Sequence, residues 1–282
     1  MSTYPDAVLQ ERARVAERGD FRERVRYDVT QRAPYAFGLL AAADAARFFG
    51  IDTVTAIEFG VADGDGLLAL GALAADVTEY TGVAFDIVGF DTGHGLPPLR
   101  DYRDHPEIWA AGDFRTVDRA ALEARLPPRT TMIWGEVGDT IGPFVNRLRE
   151  DAPVGFVAHD MDIYHSTASA LALYRAPAAS LLPVGIAYFD DTLGRSDRLG
   201  SLLRTRWAGQ LLAIDEFNAA ESPRKIDVIR TLKHRRPLNQ EPWLDQVYAV
   251  HVLDHPARGA TARRAPLSMG DYPVARRFDW PL

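Results

Sequence analysis

The chain has 282 residues, 47% of them hydrophobic and 25% charged, which suits one large domain with a substantial core. It has no cysteine, so disulfides, zinc–thiolate sites and thiol nucleophiles are excluded. The net charge of −7 argues against general nucleic-acid binding. The polar N-terminus carries no apolar signal core. The longest apolar segment, Tyr35 to Phe49, holds Asp44 and Arg47 and is too short to span a bilayer. The expectation is a cytoplasmic protein that binds neither membrane nor nucleic acid.

Asp6 to Arg18 and Asp20 to Gln31 read as two charged amphipathic helices with sparse apolar positions. Pro34 interrupts the pattern, and an Ala-rich helix over 36–49 stops at Gly50. Residues 1–50 are thus expected to form a helical appendage or cap, whose leading helices offer a surface for homo-oligomer formation. The main domain is expected over 51–256, with an irregular tail over 257–282.

Val54 to Phe59 is the first core strand. It runs into Gly60-Val61-Ala62-Asp63-Gly64-Asp65-Gly66, followed by an Ala/Leu-rich helix. Strand, glycine-rich turn and helix make a nucleotide-binding opening. Glycines permit positive φ and close backbone approach, and the helix N-terminus offers free N–H groups. Glu58 stands at the strand end ahead of the glycines. A second strand, Phe85 to Phe90, ends at Asp91, where an acid accepts hydrogen bonds from ribose hydroxyls in such folds.

The polar stretch Thr92 to Asp118 contains Pro97, Trp109 and Phe114 and is too long for a plain connection, so it is expected to line a pocket. A helix over Val117 to Arg125, a strand over Thr130 to Trp134 and a helix over Thr140 to Glu150 follow. Glu136 and Val137 fall where an adenine ring is expected, by position alone.

The apolar run Pro153 to Ala158 ends in Asp160 and Asp162, and Ser166 and Thr167 then open a helix. A second run, Leu181 to Phe189, ends in Asp190 and Asp191. The spacing from Asp160 to Asp190 matches one βαβ crossover, which puts both strand ends on the same sheet edge. Three converging carboxylates repel one another, and a hard divalent cation such as Mg2+ relieves that repulsion. Acids also punctuate strand ends as turn formers and helix caps. An Arg-rich loop over 192–206 and a helix over Trp207 to Ala220 follow. Ile226 to Leu232 and Val247 to Leu253 read as two further strands, joined by a basic loop, KHRRPLNQEPW, expected to be solvated. The pattern predicts an α/β fold: a seven-stranded, mostly parallel sheet with helices on both faces and an antiparallel edge strand.

The turn Glu58-x-Gly60-x-Ala62-x-Gly64 resembles motif I of class I S-adenosylmethionine methyltransferases. With it stand GFDTGHGLP (89–97), WAAGDF (109–114), GEVGDT (135–140), DMDIYHST (160–167) and FDD (189–191). Together these landmarks resemble the macrocin O-methyltransferase family, metal-dependent sugar O-methyltransferases of antibiotic biosynthesis, over roughly residues 54–255. The resemblance implies a Rossmann-like class I methyltransferase fold, S-adenosylmethionine as cofactor and a small-molecule hydroxyl acceptor. It implies that Glu58, Gly60, Gly64, Asp91 and Glu136 hold the cofactor. Asp160, Asp190 and Asp191 would hold Mg2+ or another divalent cation, and Asp162 would be the general base. His165, and His159 before it, are alternative bases, since imidazole titrates near neutrality; each also suits a structural hydrogen-bonding role. The GFDTGHGLP wording and the N-terminal 50 residues depart from the family pattern, which leaves the acceptor open. Two other readings fit parts of the pattern. One is a glycosyltransferase using Asp160-x-Asp162 as a D-x-D motif. The other is a non-catalytic methyltransferase fold that binds or scaffolds.

Overall fold

The computed structural model describes residues 4–115, 118–193 and 200–260. The leading helices are α1 (Asp6–Arg18) and α2 (Phe21–Arg26), and α3 is Ala33–Phe49. Five βα steps follow: β1 (Thr53–Phe59) and α4 (Asp65–Thr81), β2 (Ala84–Asp91) and α5 (Arg119–Glu123), β3 (Thr130–Trp134) and α6 (Val137–Val145), β4 (Val154–His159) and α7 (Tyr164–Ala170), then β5 (Leu181–Phe189) with α8 (Gly200–Leu203) and α9 (Gly209–Ala220). The chain continues through β6 (Arg224–Val228), α10 (Leu232–Arg235), β7 (Val247–Val252) and α11 (Pro256–Ala260). No helix among the described residues is long and apolar enough to cross a membrane.

The strands form one sheet in the order β3-β2-β1-β4-β5-β7-β6. The first five are mutually parallel, and β7 runs antiparallel to both its neighbours. The expected antiparallel strand therefore lies one place in from the edge, and β6 forms the edge itself. The central strands are buried along nearly their whole length, as β-strands covered by helices on both faces must be.

Several boundaries differ from the sequence expectation. Pro34 does not precede a helix; it sits in the first turn of α3, where its missing N–H costs nothing. Helix α2 stops at Arg26 because Tyr27 leaves helical geometry and Asp28 takes a left-handed φ of 48°. Helix α6 starts at Val137 and accommodates Pro143 within it. The segment expected as a strand to Leu232 ends at Val228 and turns into α10. Part of the expected helix over Val117 to Arg125, Val117 itself, lies outside the described residues, as does the tail beyond Ala260.

The segment expected as a helical appendage, residues 1–50, contributes α3 to the core. Along α3, Tyr35 to Ala43 are all buried, and the helix packs on β1, β4, β5 and α4. Its alanines and Gly38 allow that approach: a Cβ at Gly38 would stand 2.1 Å from the Phe156 ring. Only α1 and α2 flank this core, and they too are tied down.

The tie is Arg236, from the loop expected to be solvated. Its side chain is fully buried. Nη2 donates to Val25 O at 2.6 Å, Arg26 O at 3.1 Å and Asp28 Oδ1 at 2.6 Å. The guanidinium lies 4.8 Å from the Trp243 ring centroid and 5.8 Å from that of Phe37. Tyr4 adds a second link, donating to Glu241 Oε1 at 2.9 Å and accepting from Gln240 N at 3.0 Å. Breaking a buried ion pair strands its partner charge. Arg236→Met is expected to destabilise the fold by about 3–5 kcal/mol in urea unfolding. Adding Asp28→Asn should restore a large part of that loss, because no charge is then left behind.

Candidate active site

The sheet order reverses beside β1, with β2 on one side and β4 on the other. Ligands in open α/β sheets bind at the carboxyl ends of strands at such a switch point. The register sets what meets there. Phe59 pairs with His159, and His159 pairs with Phe189. The next residues, Gly60, Asp160 and Asp190, therefore emerge side by side. Gly60 N donates to Phe90 O at 2.9 Å, and Asp160 N to Phe59 O at 2.8 Å.

Gly60 has φ +86°, and a Cβ there would stand 1.7 Å from the Asp160 carbonyl oxygen. No other residue fits, so the turn floor and the acid-bearing strand end touch. Asp91 clamps the turn: Oδ2 accepts from Val61 N at 3.0 Å and Ala62 N at 2.9 Å, and Oδ1 from Gly93 N at 2.5 Å. The glycine floor is thus close-packed against β4 and the loop above it is held in place, leaving backbone free to approach a ligand closely. Gly60 and Asp91 line the cleft above it.

Carboxylate oxygens of Asp160, Asp190 and Asp191 lie within 4.8 Å of one another. Three hard oxygen donors at that spacing fit a divalent cation such as Mg2+. Burial, then the charges of Asp190 and Asp191, push the Asp160 carboxyl well above its ordinary range. Burial pushes Asp191 up to about 6, with Asp190 adding to the rise and Arg204 opposing it. Tyr188 donates its hydroxyl to Asp190 Oδ1. Gln210 ties the two strand ends, accepting from Asp191 N at 2.9 Å and donating to His159 O at 3.1 Å.

Asp162 joins this group from a strained turn with φ 63°. Its N–H donates to Asp191 Oδ2 at 2.9 Å. Burial, then Asp191 and Asp190, push its carboxyl up to about 9. Asp162 and Ser166 line the cleft with the three acids.

Five residues that the sequence marked as candidates, Glu58, Gly64, Glu136, His159 and His165, do not line the cleft. Glu58 lies below the turn, buried, accepting from Tyr35 Oη at 2.6 Å. Gly66 is small because a Cβ there would meet Glu58 Oε1 at 2.0 Å. Glu58 thus supports the loop from beneath. Gly64, with φ +92°, starts α4 and faces the Leu122 side chain. Glu136 is exposed at the start of α6, with Gly135 and Val137 on the cleft wall in its place. His165 turns towards fully buried Asp104: Nδ1 lies 2.8 Å from Oδ2, and its backbone N–H donates to Oδ1 at 3.0 Å. His159 is a core residue, stacked on Phe189 at 4.3 Å and held 3.0 Å from Tyr174 Oη.

The cleft has a volume of about 1350 Å³. The polar stretch after β2 lines it with Leu96, Pro97, Trp109 and Phe114, as expected from its length. Its far wall was not foreseen: Lys233, Gln240, Pro242 and Gln246 come from the segment that Arg236 anchors. Arg204 was one arginine among several in a loop whose Arg195 and Arg198 lie outside the described residues. Nothing in its spacing marked it, yet it pairs with Asp191 at 3.0 Å.

Burial pushes the Glu58 carboxyl up from 4.5 to about 7, the Tyr35 hydrogen bond opposing the rise. An acid with a raised folded-state value keeps its proton while the unfolded chain has lost it. Stability contributed by the neutral form is therefore full at low pH and lost as pH rises from about 4.5 to about 7. Glu58→Gln should flatten that decline, gaining on the order of 3 kcal/mol over wild type at pH 8. Urea unfolding of both proteins from pH 4.5 to 8 measures it.

No protein-family model matches the chain, and no curated protein matches it in sequence. Among solved structures, it is similar to the calicheamicin methyltransferase CalS11, with 18% identity over 90% of this chain and 95% of that one, at a TM-score of 0.52. An apo structure of CalS11, a TDP-rhamnose 3'-O-methyltransferase of calicheamicin biosynthesis, matches at 16% identity over 90% and 97% of the two chains, with a TM-score of 0.43. An O-methyltransferase from Bacillus cereus in complex with SAH matches at 17% identity over 87% and 89%, with a TM-score of 0.40. The likeness to the first is one of fold: a Rossmann-like methyltransferase architecture spanning nearly the whole of both chains.

Proposed function

We propose that this protein is an S-adenosylmethionine-dependent O-methyltransferase acting on a hydroxyl of a small molecule, a sugar or other diol. One observation carries the reading. The glycine turn and the acid cluster abut at Gly60 and Asp160, so a cofactor cradle and a cation site open into one cleft. At about 1350 Å³ that cleft exceeds the usual range for a single small ligand, which favours a cofactor and an acceptor together.

The cofactor supplies a methyl group already activated on a sulfonium. A divalent cation, held by Asp160, Asp190 and Asp191, supplies Lewis-acid polarisation of the acceptor oxygen. The rest falls to side chains and backbone. The Gly60 turn, fixed by Asp91, binds and orients the cofactor. Asp162 takes the acceptor's proton on a carboxylate oxygen. Burial and the neighbouring acids raise its proton affinity, and a cation held by those acids would favour the carboxylate form that accepts the proton. Trp109 and Phe114 give the cleft an apolar wall beside the acids. His165 has no part in this chemistry.

Calorimetric titration with S-adenosylhomocysteine, with and without Mg2+, tests the cofactor. The expected affinity is micromolar, about −8 kcal/mol; no binding in either condition overturns the proposal. Gly60→Val should abolish that binding while the protein remains folded by circular dichroism. Against a panel of sugar and diol acceptors, Asp162→Asn is expected to lower turnover by about 10²–10⁴-fold with cofactor affinity unchanged. Turnover equal to wild type would remove Asp162 from the role of base.

A further inference from the structure

The acid cluster carries its own cation. Arg204 follows α8 and points back into the cleft, its side chain 12% exposed. Nη2 meets Asp191 Oδ1 at 3.0 Å, and Nε donates to the Asp191 carbonyl at 2.8 Å. Asp191 Oδ2 already accepts from Asp162 N. Both oxygens of the buried acid are thus engaged, one of them by a full positive charge.

We infer that Arg204 is a resident counter-cation of this cluster, which a divalent cation must displace from Asp191 in order to bind. The inference rests on the cation assignment proposed above and concerns what opposes it. A metal ion sharing Asp191 with a guanidinium would face a like charge across one buried carboxylate, where water screens the repulsion less than at the surface. Without either cation, four carboxylates would stand together unpaired, which is costly. The two neutralising charges are therefore alternatives.

The arginine has somewhere to go. Its guanidinium carbon already lies 5.6 Å from the Trp109 ring centroid, and both residues line the cleft. An aromatic face retains a guanidinium without a carboxylate. Arg236 offers the contrast: fully buried and held by two carbonyls and a carboxylate, it is a fixed strut. Among the described residues Arg204 has one ion-pair partner, Asp191, and that partner is the one a metal would claim. The exchange hands a free guanidinium to the cleft wall when the metal is loaded.

Mn2+ titration of metal-free wild type, Arg204→Gln and Arg204→Lys by calorimetry separates the outcomes. Arg204→Gln is expected to bind Mn2+ about tenfold more tightly than wild type, and Arg204→Lys to stay near wild type, because it is the charge that opposes the metal. Equal or weaker binding by Arg204→Gln would mean that the arginine orients Asp191 and does not compete; the counter-cation inference then fails while the cation assignment stands. No Mn2+ binding by any of the three overturns both. A second measurement needs no change at Arg204. Mg2+ binding should alter tryptophan fluorescence in wild type, and Trp109→Phe should remove that change. Heat of Mg2+ binding without a Trp109-dependent signal would overturn the displacement.

Discussion

Four carboxylates gathered at the ends of two adjacent strands dominate the electrostatics of this molecule. Asp160, Asp162, Asp190 and Asp191 come together because β4 and β5 are parallel neighbours in fixed register. Strand pairing leaves them no room to separate. The fold answers with Arg204 on Asp191, the Tyr188 hydroxyl on Asp190 and the Asp162 N–H on Asp191. Much of what surrounds the cluster, including the strained backbone of Asp162 and the Gln210 bridge, serves to keep these acids in place against their own repulsion.

The same edge explains why glycine is required at residue 60. The turn after β1 must pass within contact of the Asp160 carbonyl, and a side chain would prevent it. Moving the turn outward would open the floor of the cleft and loosen the Asp91 clamp, whose Oδ2 accepts from the Val61 and Ala62 N–H groups of that loop. In the proposed chemistry this packing sets the distance between cofactor and acceptor. That distance is then a property of the sheet and not of mobile side chains, which is how a scaffold preorganises a two-substrate reaction.

Much of this was legible in the chain. Apolar runs ending abruptly in acids gave β4 and β5 and, through crossover spacing, the convergence of Asp160 with Asp190. Glycine and acid at the ends of β1 and β2 gave the turn and placed Asp91 beside it; that Asp91 accepts from the backbone N–H groups of Val61, Ala62 and Gly93 was not foreseen, since the acid was expected to meet ribose hydroxyls. What failed were residues whose meaning depends on direction or on distant partners. Glu58 is the last acid before the glycines, but it points beneath the turn, towards Tyr35 from α3. His165 sits among catalytic candidates in sequence, yet its partner Asp104 comes from 61 residues upstream. Arg236 reads as one of a basic run, and only the folded chain supplies the three acceptors that bury it. Local pattern reports which face is apolar; it does not report which long-range partner a charge will find.

Arg236 reaches Val25 across 211 positions, and β7 enters the sheet between β5 and β6. During synthesis, α1 and α2 emerge long before the segment that holds them. The Val25 carbonyl and the Asp28 carboxylate must wait on water until residue 236 arrives. By then the five parallel strands and α3 can have assembled. Contacts of such separation carry the largest loop-closure cost and form slowly. The far wall of the cleft, which comes from the same late segment, is therefore finished after its glycine floor. A nascent chain can hold the glycine floor of the cleft before the wall opposite it exists.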